Sequence, residues 1–328
     1  MIMAMTLRDL LEGWVEEAPA LRITGIGLDN RNIKAGDAFV AVQGQMSHGL
    51  DYARSAVAAG AVAVIHDGLK ALPELDVPSC EVAGLGNKLG ELASRYYAAP
   101  SEQMKIAGIT GTNGKTSVAH FLAQSWQRVY GNAGMVGTLG YGPLGALQSG
   151  ARTTPDPLSL QRVLSDCVKA DIERLAMEVS SHALQQHRCQ TVQFDAAVFT
   201  NLSRDHLDYH SDMADYAAAK RLLFTDYAPS FAIINHDDAY GRKWFGELNG
   251  GMQMLSFVLQ EGAEFRAEIR SIDIGGMNIR VTGPWGSEEI HTSLLGAFNA
   301  SNLLATAGTL ALLGMPWSRV LHQLEVMQ

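Results

Sequence analysis

The sequence predicts an α/β protein: a small N-terminal α/β domain, then a P-loop-type domain on an open, mostly parallel sheet. Three observations carry this reading. From Lys105 onward, short apolar runs alternate with amphipathic stretches, the pattern of strands and helices that cover a parallel sheet. The apolar run 104–109 leads into Gly-Ile-Thr-Gly-Thr-Asn-Gly-Lys-Thr-Ser at 108–117, a glycine-rich turn between a strand and a helix. Residues 97–103 are polar and carry Pro100, so a boundary is placed there, dividing the chain into 1–100 and 101–328.

Taken in order, 21–28, 38–42 and 61–65 read as strands and 51–59 as a helix. Residues 116–129 form a helix stopped by Gly131. Parallel strands follow at 174–179, 196–200 and 231–235, with helices at 158–170, 215–226 and 238–248. The segments 265–272, 278–282 and 288–294 are separated by glycine turns and read as a short antiparallel meander. A helix at 297–313 then ends at the stop signals Gly314 and Pro316.

Composition narrows the function. A net charge of −9 leaves no basic stripe for a nucleic-acid backbone. Three unpatterned cysteines fit a reduced, cytoplasmic setting better than a disulfide scaffold. No apolar run approaches the length that spans a bilayer. Membrane insertion is therefore not expected.

The glycine-rich turn is the strongest chemical signal. Backbone N–H groups at Gly111, Thr112, Asn113, Gly114 and Ser117 would cradle phosphates, Lys115 would reach the outer ones and the Thr116 hydroxyl would sit on Mg²⁺. Ile109 stands where the usual motif has its first glycine. Other strands also end in polar residues, where open α/β sheets bind ligands. Glu178 arrives on one of them, before Ser180, Ser181 and His182, and suits a cation beside the phosphates. His206 and His210 are four apart amid carboxylates but lack the glutamate of a zinc helix. Lys220, on its helical pattern alone, reads as a solvated lysine. Asp237 and Asp238 would meet a ribose or cap a helix, and Asn299 and Asn302 would meet an adenine or satisfy nearby backbone.

Together these stretches resemble the Mur ligase family. The resemblance runs through Thr110–Thr116, Thr153-Thr-Pro-Asp-Pro157, Met177-Glu-Val-Ser-Ser-His-Ala-Leu-Gln-Gln-His-Arg188 and Thr200-Asn-Leu-Ser-Arg-Asp-His-Leu-Asp-Tyr-His210, then Tyr216–Lys220 and Leu295-Gly-Ala-Phe-Asn-Ala-Ser-Asn302. It is nearest to the members that use ATP to add an amino acid to UDP-N-acetylmuramoyl-L-alanyl-D-glutamate, through an acyl phosphate, in peptidoglycan biosynthesis. It implies that Lys220 is carbamylated by CO₂ and becomes an oxygen ligand of a second Mg²⁺, with His206 and Glu178 on the same ion. Lys115, Lys220, Glu178 and His206 are then the catalytic set. Arg152, Thr153, Thr154, Ser180, Gln186 and Arg188 hold the muramyl peptide, and Asn299 lies near the adenine. The first domain binds the UDP portion through Leu28, Asn30, Gln45, Met46 and Ser47. Asn30 replaces a common serine of the family, Gln45-Met46 a common His-Gln, and Arg152 a frequent asparagine.

Family members carry a third domain that binds the incoming amino acid, and no motif for it stands in this sequence. The expectation is therefore the donor and ATP portion of a ligase. The alternative is a two-domain homologue that binds or senses UDP-muramyl peptides without turnover.

Overall fold

The computed structural model describes residues 5–44, 46–205, 209–248, 251–259 and 261–328. The chain divides into two compact units. The first takes in Met1–Pro100, Asp156–Ser165 and Cys189–Thr191, and the second takes in Ser101–Pro155, Asp166–Arg188 and Val192–Gln328.

In the first unit β1 (Gly25–Gly27), β2 (Asp37–Ala41), β3 (Ala63–His66) and β4 (Ser79–Glu81) form a parallel sheet in that order. Every residue of β3 is buried, as expected of a parallel strand covered on both faces. Helices α1 (Leu7–Leu10), α2 (Ala53–Ala58) and α3 (Leu89–Tyr97) belong to the same unit. The expected strand 21–28 shortens to β1 because its first half pairs elsewhere. Leu7 N–H bonds Leu21 O, and Ile23 N–H bonds Met5 O. β4, three residues long after Pro78, is too short to give a periodic signal.

The second unit is built on ten strands. They are β5 (Lys105–Thr110), β6 (Gly134–Gly137), β7 (Gly140–Pro143), β8 (Arg174–Glu178), β9 (Ala196–Phe199), β10 (Phe231–Asn235), β11 (Gln253–Leu259), β12 (Phe265–Asp273), β13 (Gly276–Gly283) and β14 (Gly286–Thr292). Their order is β14-β13-β12-β11-β10-β9-β5-β8-β6-β7. Pairings from β6 through β12 are parallel, while β7, β13 and β14 run antiparallel at the two edges. The fold class and its antiparallel meander are thus as expected, with β6, β7 and β11 added.

Helices α4 (Lys115–Tyr130), α5 (Pro157–Lys169), α6 (Ser181–Gln185), α7 (Met213–Thr225), α8 (Ala239–Glu247), α9 (Ala297–Leu312) and α10 (Trp317–Glu325) follow in the chain. α9 is apolar nearly all round because it lies against α4, β10, β11 and β12. Ile109, Trp126, Val198, Ile233, Phe265 and Leu303 form the centre of this core. The core fixes β5 and α4, and therefore the turn between them.

Among the described residues, no helix is long and apolar enough to cross a membrane. Cys80, Cys167 and Cys189 are all buried, and none forms a disulfide among the described residues. Burial pushes the Cys80 thiol up and the Cys167 thiol up to about 12. Thiolate is the reactive form, so an aromatic disulfide reagent should leave the native thiols unmodified and titrate all three in denaturant. A thiol that reacts fast in the native chain would contradict this.

Candidate active site

β5 delivers the chain to a turn whose glycines have no substitute. Gly111 has φ +148°, and a Cβ there would lie 1.9 Å from Thr200 Oγ1. Gly114 has φ +85°, and its Cβ would lie 2.5 Å from Asn302 Oδ1. The turn is moored to the end of β9. Thr112 N–H donates to Asn201 O at 2.8 Å, Asn113 N–H to Asn201 Oδ1 at 3.0 Å, and Thr200 Oγ1 to Asn113 O at 2.6 Å. Thr112 and Asn113 therefore spend their N–H groups on the mooring. The free donors lie instead at the start of α4, where Gly114 provides no side-chain cap. An uncapped helix N-terminus leaves its first N–H groups open to an anion.

Lys115 donates to Gly111 O at 2.9 Å and to Thr112 O at 2.8 Å. Burial lowers its pKa, against the opposing pull of Glu178 and Asp205. Thr116 Oγ1 donates to Glu178 Oε2 at 2.9 Å, while Thr138 N–H donates to Glu178 Oε1 at 2.8 Å. Glu178 is wholly buried. A hydroxyl and a carboxylate brought together at an anion-binding turn are hard oxygen ligands, as Mg²⁺ requires.

Lys220 departs from its sequence pattern. The solvated lysine is instead 1% exposed, its Nζ donating to Gly111 O at 2.8 Å and lying 4.4 Å from the Tyr216 ring centroid. Burial, aided by Lys115, lowers its pKa to about 6, with Asp205 opposing. Pattern alone misses this because packing of α7, 109 residues along the chain from Gly111, decides it.

Lys115, Thr116, Glu178 and Lys220 line one cavity of about 430 Å³, wholly within the second unit, together with Arg152, Thr153, Thr154, Ser180 and Arg188. Arg188 is held in place by Thr154 O at 2.9 Å from Nη1 and by Gln186 Oε1 at 3.1 Å from Nε. Thr154 Oγ1 in turn donates to Glu178 O at 2.9 Å. Thr138, Ser181 and His182 also line the cavity, and the sequence reading gave none of them a role. Thr138 follows a short glycine-rich strand with no motif. Among the described residues, no group of three or more His, Cys, Asp and Glu side chains is placed to hold a metal ion. The metal set implied by resemblance is of another make, a hydroxyl, a carboxylate and a modified lysine, and its His206 lies outside the described residues.

Other expected residues fall elsewhere. Asn299 Nδ2 donates to Leu295 O at 3.0 Å, and Asn302 backs onto Gly114. Asp238 caps α8 through Tyr240 and Gly241, so of its two readings the structure favours capping, whereas Asp237 caps no helix and accepts instead from Leu259 N–H of β11. In the first unit Asn30 bonds Ser55 Oγ at 2.9 Å, Ser47 Oγ lies 3.2 Å from Tyr52 OH, Met46 is 96% exposed and Leu28 packs against the core. Gln45 lies outside the described residues.

The family described as the Mur ligase middle domain matches residues 109–310. The chain belongs to the Mur ligase family. The family's catalytic-domain description matches residues 22–97 as well. Among curated relatives, the UDP-N-acetylmuramoyl-L-alanyl-D-glutamate–2,6-diaminopimelate ligase of Alkalilimnicola ehrlichii is 42% identical over 334 residues, covering 98% of this chain and 67% of that one. The ligase of the same name from Pseudomonas aeruginosa is 43% identical over 312 residues, covering 94% and 64%. A solved structure of such a ligase superposes with a TM-score of 0.85 at 28% identity, over 98% of this chain and 66% of that one. The MurF ligase of Thermotoga maritima in complex with ADP, at 18% identity and a TM-score of 0.69 over 93% of this chain and 66% of that one, shares the fold. The chain spans about two thirds of the length of these Mur ligases.

Proposed function

We propose that this chain carries the ATP and donor sites of a ligase of peptidoglycan biosynthesis. The ligase joins an amino acid to the glutamyl carboxylate of UDP-N-acetylmuramoyl-L-alanyl-D-glutamate. The observation behind this is that Lys115, the Thr116–Glu178 pair and Lys220 meet around one cavity, in a chain 42% identical to a ligase of that name. The relatives' names make 2,6-diaminopimelate the amino acid to try first. A cytoplasmic location, where ATP and nucleotide-linked precursors occur, goes with this reading.

A carboxylate does not condense with an amine in water, because its oxygen is a poor leaving group. Transfer of the γ-phosphoryl group to the glutamyl carboxylate releases ADP and forms an acyl phosphate. The amine then attacks the acyl carbon, the N–C bond forms, and the C–O bond breaks as phosphate departs, while the amine nitrogen gives up one proton to solvent or to the departing phosphate. Two anions must meet in the first step, so the chain's task is positioning and charge neutralisation. The open N–H groups of α4 and the Lys115 ammonium take the polyphosphate charge. Arg188 and Arg152, with the Thr153 and Thr154 hydroxyls, orient the acidic peptide. Thr116 would hold one Mg²⁺, and Glu178, His206 and Lys220 as its carbamate would hold a second; when bound they would offset phosphate charge. No protein nucleophile is required.

Lys220 suits carbamylation. Only the unprotonated amine attacks CO₂, and burial supplies that form above pH of about 6, where an exposed lysine stays charged. A carbamate signal is therefore expected by NMR with isotopically labelled bicarbonate at pH 7.5. It should fade as pH falls through about 6, where the amine protonates, and be absent in Lys220→Met. A signal that survives in Lys220→Met would remove the assignment. For the donor, calorimetry should detect UDP-N-acetylmuramoyl-L-alanyl-D-glutamate and find the analogue lacking D-glutamate at least about tenfold weaker, since charge-assisted contacts are lost. Equal binding of the two would mean that the acidic end is not read.

A further inference from the structure

The cations that line the cavity, Lys115, Arg152 and Arg188, offer it donors only. Ser181 differs. It lines the same cavity, is 1% exposed, and its Oγ lies 2.9 Å from Nε2 of His210, 29 residues away. His210 is also 1% exposed, and its second ring nitrogen, Nδ1, lies 3.4 Å from Asp215 Oδ2. Asp215 is itself fixed by Ser211 N–H at 3.1 Å. The rings of Tyr209 and Tyr216, 5.0 and 4.9 Å away between centroids, hold the imidazole plane.

A carboxylate beside Nδ1 favours the tautomer protonated there. Nε2 is then the acceptor, so the Ser181 hydroxyl donates to His210 and turns its lone pairs toward the cavity. We infer that Ser181, positioned by His210 and Asp215, is a neutral acceptor in this cavity for an amide N–H of a peptide ligand, and that it selects amide over ester. The inference rests on the ligase reading above, whose donor offers two peptide-chain amides, lactyl–alanyl and alanyl–glutamyl. An ester oxygen in place of the N–H sets lone pair against lone pair, which costs more than the lost bond alone.

Calorimetry with the natural donor and two depsipeptide analogues, each with one of these amides replaced by an ester, tests it. The wild-type chain should bind one analogue about tenfold more weakly than the natural donor and the other within about twofold. Ser181→Ala should bind all three alike. His210→Phe should behave as Ser181→Ala does, and the double variant should add nothing further. His210→Gln, whose Oε1 can accept the same hydroxyl, should keep part of the discrimination, and unfolding midpoints control for folding. Equal discrimination in wild type and Ser181→Ala, or none in wild type, overturns the inference. So does a uniform loss of all three ligands in Ser181→Ala, which would make Ser181 a donor to an anion. If the wild-type chain binds no natural donor, the ligase reading falls first and takes this inference with it.

Discussion

Lys115→Met should lower phosphorylation of the donor by on the order of 10³-fold, the usual cost of removing a charge aimed at a developing anion. The lysine is largely buried at the mouth of α4, its Nζ on the carbonyls of Gly111 and Thr112. That placement leaves it within reach of the phosphates without contributing to the core. Methionine keeps the volume of the stem and removes only the charge and two hydrogen bonds, each worth about 1 kcal/mol to stability. Donor affinity should accordingly stay near wild type, and the variant should still fold, with a stability loss of at most about 2 kcal/mol. Lys115→Arg should not restore the rate, because a planar fork does not reproduce a point charge in a tight turn. Hydroxylamine trapping of the acyl phosphate, followed by mass spectrometry, gives the rate. A loss of less than about tenfold would assign the charge neutralisation to another group.

Gly111→Ala should cost about 3 kcal/mol of stability and eliminate measurable ADP binding. Its Cβ would stand 1.9 Å from Thr200 Oγ1 and 3.1 Å from Asn201 N, at a φ of +148°. Relief requires the turn to move, and the Gly111 carbonyl that moves with it is the acceptor for both Lys115 and Lys220. Gly145→Ala is the control. Its φ is +93°, but no atom lies within 4 Å of the added Cβ, so it should cost only about 1 kcal/mol. Denaturant unfolding and ADP calorimetry measure both variants. Similar losses in the two would mean that backbone conformation, not the clash, sets the cost.

The strand–turn–helix around Lys115 was legible because its signals are local: an apolar run, glycines where φ is positive, and Lys-Thr at a helix start. The parallel sheet was legible for the same reason, since each βα unit repeats its own periodicity. Where contacts span long stretches of chain, periodicity was silent and only the resemblance of motifs pointed the way. Lys220 sits in an amphipathic pattern typical of solvated helices, and only α7 packing carries it to Gly111. Thr138 reaches Glu178, forty residues on, from a short glycine-rich hairpin that has no periodic signal. Asp238 satisfies both readings of its position in sequence, and the fold selects the cap because Leu202 N–H also needs its carboxylate. The Ser181–His210 contact joins two motifs that sequence order keeps apart.

The most direct measurement is mass spectrometry of the nucleotide-linked products after incubating the chain with UDP-N-acetylmuramoyl-L-alanyl-D-glutamate, Mg-ATP, bicarbonate and hydroxylamine. Hydroxylamine intercepts an acyl phosphate without needing a bound amino acid. A donor hydroxamate, formed with ADP and lost in Lys115→Met, is the expected product. Binding of both ADP and donor with no hydroxamate formed would contradict the reading, and would make the chain a module that recognises UDP-muramyl peptides without activating them.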